Sequence, residues 1–295
     1  MRLSIEMSMS AVGKELGEPD SNLWRVFNEY VTKAIATQIN LKDTRRIGVD
    51  ETASKRGHNY VTIFTDLDTG DVIKVEEGRK KEVFEKLYGW LFDKEGHPKN
   101  IDLFSMDMSV SYKAGCRENF AHSEIVFDRF HIKKVVNEAV DKVRKAEVKH
   151  CDNLKKTKYL WLKNEQNLNE QQKEKLHEFL SESSLETTLA YKMKVEFDNF
   201  WKVQPKAVEP MLQTWMQRVL STNITAMNNL IKTIKNNYSG IIKSMKTGIN
   251  NAAAEGLNSI VQMAKSRARG FRNMDNFRNM IYVLGNDFNF KFHTK

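Results

Sequence analysis

The stretch from residue 45 to residue 64, RRIGVDETASKRGHNYVTIF, decides how the rest of the sequence is interpreted. It begins with a short apolar run, Ile47 to Val49, that is typical of a buried strand. The run leads directly into two acids, Asp50 and Glu51. A buried carboxylate is costly unless it is neutralised, hydrogen-bonded or bound to a cation. The sequence therefore predicts that Asp50 either caps a loop or holds a metal ion.

The residues after this stretch predict an alternation of strands and helices. RIGVDE, YVTIFTDL and DVIKVEEG are interpreted as three strands, and Asp68-Thr69-Gly70 makes a hairpin of the last two. KKEVFEKLYGWLF is the first helix, because its apolar residues recur at intervals of three and four. A strand (NIDLFSMDM), a helix (SYKAGCRENF) and a last strand (SEIVFD) follow.

This order of three strands, helix, strand, helix and strand predicts an α/β protein with a ribonuclease-H-like mixed sheet. In such a sheet the first three strands are antiparallel, and the first and fourth strands lie side by side. Asp50 is expected to end the first strand and Asp107 the fourth. The two carboxylates are therefore expected to face each other at one end of the sheet.

The first forty-four residues predict a helix-turn-helix-like segment. One helix is expected to end near Gly17, and the next to begin after Pro19 with Asp20 or Ser21 as its N-cap. Such a segment either binds DNA or is a helical lead-in that packs on the main domain.

The predicted domain organisation has three parts. Between the last predicted strand and the C-terminal helical region the chain is rich in Lys, Glu, Gln and Leu, and Trp161, Trp201 and Trp215 are expected to anchor a helical subdomain there. NAAAEGLNSIVQMAKSRARGFRNMDNFRNMIYV then predicts a helix with Leu257, Ile260, Val261 and Ala264 on one side. The parts are residues 1–44 (helix-turn-helix-like), residues 45–132 with 246–295 (ribonuclease-H-like), and residues 133–245 (helical insertion).

Composition favours an intracellular protein with a polyanionic partner. The 295 residues include 47 Lys and Arg against 38 Asp and Glu, which gives a formal net charge of +9. Cys116 and Cys151 have no CxxC spacing, so we expect free thiols in a reducing cytoplasm. We identify no signal peptide and no membrane span, and therefore expect a soluble cytoplasmic protein.

Asp50 and Asp107 together indicate a metal site. Two carboxylates that face each other closely repel, and a shared proton or shared divalent cations would relieve this repulsion. Oxygen ligands of this kind suit Mg²⁺ or Mn²⁺, and two such ions support in-line phosphoryl transfer. Glu255 near the start of the last long helix is a third candidate, although spacing alone does not link it to the two aspartates.

Four motifs give the sequence a family resemblance. IGVDETASKRGHNYVTIFTDLDTGDVIKVEEGR, SMDMSVSYKAG, IVFDRFHIKKVVNEAVDKVR and EGLNSIVQMAKSRARGFRNMDNFR, in this order, resemble the DDE transposases of the bacterial insertion-sequence family ISL-three. The resemblance implies a transposase that cleaves and transfers DNA strands with two Mg²⁺ or Mn²⁺ ions. It also implies double-stranded DNA (element ends and target) as the partner, a homo-oligomer on that DNA, and a nucleoid-associated location without membrane contact.

The matching motifs imply the roles of individual residues. Asp50, Asp107 and Glu255 correspond to the metal-binding catalytic acids of the family. FDRFH resembles a signature that places Asp128 and His131 near the site in a supporting role. The alternative for His131 is that it caps or hydrogen-bonds the following helix.

The basic residues near these motifs are expected to bind DNA phosphates. Phosphate contacts supply affinity without sequence information, and a solvated helix face is the alternative. The residues are Lys55, Arg56, Arg79, Lys243, Lys246, Lys265, Arg267, Arg269 and Arg272, with Arg278 beside them.

Three functional hypotheses follow. The first is an active transposase, and the second is a transposase-derived DNA-binding protein without catalysis. The third is a ribonuclease-H-like nuclease that cuts without joining ends. Family members usually begin with a cysteine-rich zinc ribbon that this sequence lacks, so we expect a truncated or shortened copy with weakened recognition of element ends.

Overall fold

The computed structural model describes residues 1–54, 60–181, 184–249 and 252–290, and it describes residues 252–255 by their backbone only. The chain divides into two compact units. The first unit is Met1–Ile125 with Asn251–Lys295, and the second is Val126–Asn250. Within the described ranges, no helix is both long and apolar enough to cross a membrane.

A mixed sheet forms the centre of the fold. In the described part of the chain it has five strands in the order β3-β2-β1-β4-β5. β1 pairs antiparallel with β2 and parallel with β4, and β2 pairs antiparallel with β3. This topology confirms the predicted α/β class and ribonuclease-H-like strand order. The strands are β1 (Arg46–Ala53), β2 (Tyr60–Asp66), β3 (Val72–Glu77), β4 (Leu103–Met106) and β5 (Glu124–Phe127).

Helices cover both faces of this sheet. On one face a row of aromatic rings, Phe64, Phe84, Phe104 and Phe120, packs edge to face with centroid separations of 4.9–5.6 Å. On the other face Val61 and Ile63 join a core built with the N-terminal and C-terminal helices. The helices of the first unit are α1 (Arg2–Glu6), α2 (Met9–Leu16), α3 (Asp20–Gln38), α4 (Glu82–Asp93), α5 (Val110–Asn119), α13 (Ala252–Arg267) and α14 (Met274–Leu284).

The N-terminal helices share one hydrophobic core with the C-terminal helices. Val12 and Val31 are buried in the same cluster as Val261 and Ile281. The side chain of Asn28 in α3 also forms two hydrogen bonds to α14: its Nδ2 donates to Asn276 Oδ1 at 2.7 Å, and its Oδ1 accepts from Asn279 Nδ2 at 2.9 Å. The DNA-binding role of residues 1–44 stays a prediction, and the packing shows that these helices stabilise the sheet-containing unit.

The ends of the N-terminal helices follow the local sequence in part. Gly17 ends α2 in the left-handed conformation, with φ of 69°, where a side chain would be strained. The prediction of Asp20 or Ser21 as the N-cap of α3 was wrong, because Pro19 occupies that position and Asp20 is already helical. The fixed φ of proline allows helix entry without a side-chain cap.

The C-terminal region forms two helices rather than one long one. α13 ends at Arg267, and the chain turns through Gly270, with φ of 88°, before α14 begins. On the predicted side of α13, Leu257 and Val261 are buried, whereas Ile260 is 41% exposed.

Apart from Val126 and Phe127 at the end of β5, the regular secondary structure in the described part of the second unit is helical. Trp161 and Trp215 are fully buried, and their indole N–H groups donate to Thr157 Oγ1 and to the carbonyl oxygen of Met193, both at 3.0 Å. Both tryptophans therefore anchor the unit as expected, whereas Trp201 is half-buried. Its helices are α6 (Arg129–Glu147), α7 (Lys158–Leu162), α8 (Glu170–Ser181), α9 (Glu186–Asp198), α10 (Pro205–Ser221), α11 (Thr225–Asn236) and α12 (Tyr238–Thr247).

Two helical glycines provide a matched test of the packing of α5 on α4. A Cβ on Gly115 would lie 2.7 Å from both the carbonyl oxygen of Lys81 and Cδ2 of Phe84, whereas a Cβ on Gly89 meets nothing within 4 Å. We predict that Gly115→Ala lowers the free energy of unfolding by about 1–3 kcal/mol through overpacking. Gly89→Ala should raise it by about 0.5–1 kcal/mol. Urea denaturation of both variants checks this, and equal effects of the two substitutions would contradict it.

Candidate active site

Asp50 lies within β1, at the point where one of its two neighbouring strands ends. Pairing with β4 extends to Gly48 opposite Ser105, whereas pairing with β2 continues to Ala53. The prediction that Asp50 ends the strand was therefore wrong, because β2 supports β1 for three more residues. Asp50 instead lies just past the end of the β1–β4 ladder.

Asp107 directly follows β4 at the same level as Asp50. Asp50 is two residues past Gly48, and Asp107 is two residues past Ser105, the partner of Gly48. Side chains alternate along a strand, so both positions belong to the same face, and paired strands lie about 4.8 Å apart. The backbone register thus brings the two aspartate positions together at one edge of the sheet.

The turn after β4 holds Asp107 in place. The carboxylate Oδ1 of Asp107 accepts a hydrogen bond from the backbone N–H of Ser109 at 2.9 Å. Ser109 is in turn the N-cap of α5, and its hydroxyl accepts from the N–H of Tyr112. Short polar residues at this strand-to-helix junction therefore fix the carboxylate by local hydrogen bonds.

Helix α13 packs on β1 through two polar contacts that the sequence analysis did not identify. Asn258 Nδ2 donates to Asp50 Oδ2 at 2.5 Å, and Gln262 Nε2 donates to Thr52 Oγ1 at 2.9 Å. The signal in the sequence was their spacing of three and seven residues from Glu255, which places all three positions on one helical face. Since a carboxylate only accepts hydrogen bonds, the amide of Asn258 is oriented with its nitrogen toward Asp50.

Glu255 lies in the first turn of α13, one helical turn before Asn258. Its side chain lies outside the described residues. Among the described side chains, no group of three His, Cys, Asp or Glu residues is arranged to hold a metal ion. The structure therefore describes two of the three predicted acids at the sheet edge, and the convergence of all three stays a prediction.

The carboxylate oxygens of Asp50 and Asp107 fit a hard divalent cation. Asp50 Oδ1 accepts from the N–H of Glu51 at 2.7 Å, so both of its oxygens are oriented by donors. Asp107 forms no ion pair with any residue that the structure describes, and its Oδ2 has no hydrogen-bond donor among them. An oriented carboxylate pair with remaining oxygen lone pairs is the kind of ligand set that Mg²⁺ or Mn²⁺ accepts.

Tyr112 lies on the face of the sheet opposite to that of Asp50. Burial raises the pKa of its phenol, and the charges of Glu51, Asp107 and Asp50 raise it further. Thr62 Oγ1 already donates to the carbonyl oxygen of Gly78 at 2.8 Å. The Tyr112 hydroxyl, 2.8 Å from Thr62 Oγ1, is therefore the donor of their bond.

Asp128 and His131 lie at the start of the second unit. Asp128 is buried and caps α6, since its Oδ1 accepts from the N–H of Phe130 at 3.3 Å. His131 Nε2 is 4.0 Å from Asp128 Oδ2. The capping function that the sequence left open for His131 thus belongs to Asp128, and a supporting role for the pair stays a prediction.

The predicted DNA-binding residues lie in several places. Arg79 stacks over the ring of Tyr60 at 4.1 Å and lies 3.7 Å from Glu51. Lys246 pairs with Glu209 at 2.9 Å, and Lys243 lies on the same helix, α12, in the second unit. Lys55 and Arg56 lie outside the described residues.

The remaining predicted basic residues belong to the first unit. Lys265 donates to Gln262 Oε1 at 3.0 Å, and partial burial lowers its pKa. Arg267 donates to the carbonyl oxygen of Ile5 at 2.8 Å. Arg269 and Arg272 are exposed in the turn between α13 and α14, and DNA binding by these residues stays a prediction.

Comparison with known proteins identifies the family. The family model described as "Transposase", that of the ISL-three DDE transposases, matches residues 47–281. The chain belongs to this family. The match includes Asp50, Asp107 and the Glu255 position, and it confirms the resemblance found in the sequence.

Two relatives show how far this similarity extends. The chain is 26% identical over 240 residues to the transposase for insertion sequence element IS1001 of Bordetella parapertussis, an alignment that covers 78% of this chain and 58% of the relative. It is 24% identical over 258 residues to the transposase for insertion sequence element IS1557 of Mycobacterium tuberculosis, covering 77% and 57%. The chain thus spans little more than half the length of these relatives.

The Tyr112–Thr62 pair predicts a pH-dependent effect of Tyr112→Phe. Near pH 7 the substitution should lower the free energy of unfolding by about 1 kcal/mol, because it removes one buried hydrogen bond. Above about pH 10 the unfolded wild type releases the phenolic proton while the folded wild type retains it, so wild-type stability falls. The difference between the two proteins should therefore shrink as pH rises from 9 to 11.

Thermal or urea unfolding of both proteins between pH 7 and pH 11 measures this difference. All other tyrosines are common to both chains, so their titration cancels. A difference that stays constant across this range would contradict the raised pKa of Tyr112.

Proposed function

We propose that this chain forms the catalytic part of a transposase that cleaves DNA strands and transfers their ends by metal-dependent phosphoryl transfer. The observation that supports it most directly is the register of β1 and β4, which aligns Asp50 with Asp107. α13 packs on the same face through Asn258 and carries the Glu255 position one turn earlier. Family membership supports the reaction class, and double-stranded DNA is the proposed partner.

Asp50, Asp107 and Glu255 would hold one or two Mg²⁺ or Mn²⁺ ions. When bound, such ions activate an attacking oxygen and stabilise the leaving oxygen of the scissile phosphate. The protein supplies the oriented carboxylates for this purpose: Asn258 and the N–H of Glu51 fix Asp50, and the N–H of Ser109 fixes Asp107. No side chain need form a covalent bond to DNA, because water and then the freed 3′-hydroxyl serve as nucleophiles.

The proposed second step needs two DNA segments at one site. The 3′-hydroxyl released by cleavage attacks a phosphodiester of the target, forming one P–O bond as the target's own 3′ oxygen leaves. We propose that a homo-oligomer on DNA holds the two element ends for this step. Joining separates this function from that of a nuclease that only cuts.

Asp50→Asn tests the proposal, because the amide keeps the shape of the side chain and removes the charge that attracts a divalent ion. If the ions contribute about 4 kcal/mol of transition-state stabilisation, nicking should fall about 10³-fold. Asp102→Asn is the matched control, since Asp102 is an exposed acid just before β4, at the other end of that strand. It should nick like wild type.

The assay measures nicking and joining of a supercoiled plasmid that carries the element ends, with Mg²⁺, with Mn²⁺ and with EDTA. We expect metal-dependent nicking by wild type and by Asp102→Asn. Equal activity of wild type and Asp50→Asn, or activity that EDTA leaves intact, would overturn the proposal. Nicking without any strand joining would favour a nuclease.

A further inference from the structure

A basic cleft lies in the first unit, between the N-terminal helices and the turn that joins α13 to α14. Its volume is about 770 Å³. The side chains of Lys14, Arg267, Arg269 and Arg272 line it, with Asp20 as the one acid among its described lining residues. A cleft with such an excess of positive charge attracts anions by its local field.

The charges of this cleft are available to a ligand. Lys14, Arg269 and Arg272 are exposed, and none of the three forms an ion pair with a residue that the structure describes. Arg267 instead donates to the carbonyl oxygen of Ile5 and so ties the end of α13 to the N-terminal segment. The cleft therefore has one structural arginine and three cations that form no ion pair with the described residues.

The backbone of Arg269 adopts a conformation that is unfavourable for a residue with a side chain. Its φ is 54°, and that of Gly270 is 88°, so two successive residues adopt the left-handed region. A non-glycine residue in that region costs of the order of 1 kcal/mol, and such residues cluster at functional sites. Glycine at position 269 would fit the turn better, yet the chain has arginine there.

The position of the cleft along α13 relates it to the acids. Glu255 and Arg267 lie at opposite ends of this helix, twelve residues apart. At about 1.5 Å per residue this separation is about 18 Å along the axis. One strand of a duplex advances about 3.4 Å per base pair, so for a duplex that runs along α13 this separation corresponds to about five base pairs.

We propose that this cleft grips the phosphate backbone of duplex DNA about five base pairs from the strand held at the acids. The inference rests on the proposed function in taking DNA as the anion. It goes beyond that function by assigning a second contact point, in which α2 and the α13–α14 turn act together. Lys14, Arg269 and Arg272 would each neutralise a phosphate, and such contacts position DNA without reading its sequence.

Arg269→Gly is the most informative variant, because it removes the charge and also relieves the strained backbone. We expect about 5–10-fold weaker binding of a 30-base-pair fluorescent duplex, and a salt dependence whose slope falls by about one. Thermal stability should be unchanged or higher. Arg272→Ala should weaken binding by a similar factor.

Lys99→Ala is the matched control, since Lys99 is an exposed cation just before β4 and does not line the cleft. Fluorescence anisotropy across a series of NaCl concentrations compares these variants with wild type. The inference is overturned if Arg269→Gly and Arg272→Ala bind like Lys99→Ala. It is also overturned if the cleft variants lose affinity for single-stranded RNA but not for the DNA duplex.

Measuring binding and nicking separately distinguishes this inference from the proposed function. If no protein nicks DNA but the cleft variants still lose affinity, the cleft assignment stands and the proposed catalysis fails. If wild type nicks DNA and the cleft variants bind normally, the proposed catalysis stands and the cleft assignment fails.

Discussion

Hydrogen bonding between β1 and β4 ends at Gly48 and Ser105, and each strand then reaches an aspartate two residues later. This shared register is what the rest of the site depends on, because a shift of one residue would turn one of the two side chains to the opposite face. β2 supports β1 beyond this point, so Asp50 is held by a strand while Asp107 is held by a turn. The two carboxylates thus occupy one edge of the sheet with different kinds of support.

Helix α13 links this edge to the remainder of the first unit. Its first half carries the Glu255 position and Asn258, which contacts Asp50, and its last turn carries Arg267, which contacts the N-terminal segment. Leu257 and Val261, on another side of the same helix, are buried in the core that includes α2 and α3. Packing of the N-terminal helices therefore helps to hold α13 against β1, and the proposed site and the proposed DNA-binding cleft share one rigid element.

The sequence was sufficient for the features that depend on local pattern. The alternation of apolar residues located the strands and helices, and the order of these elements placed β1 beside β4. Contacts between distant residues could not be obtained in this way. Asp50 was expected to end a strand because its charge follows an apolar run, but the pairing of β2 with residues 51–53 keeps that strand extended. Lys246 was predicted to bind DNA from the sequence, but in the structure it pairs with Glu209, which lies 37 residues away in the chain. Asn258 was overlooked because an amide on a helix has no distinct signature without its partner.

The central claim is that α13 completes a metal site begun by Asp50 and Asp107. The most direct measurement is anomalous diffraction from crystals of the protein soaked in Mn²⁺. The account predicts a manganese peak about 2.1 Å from carboxylate oxygens of both Asp50 and Asp107, with Glu255 as a further ligand. Manganese bound elsewhere, or bound to the two aspartates with Glu255 directed away from it, would contradict the account.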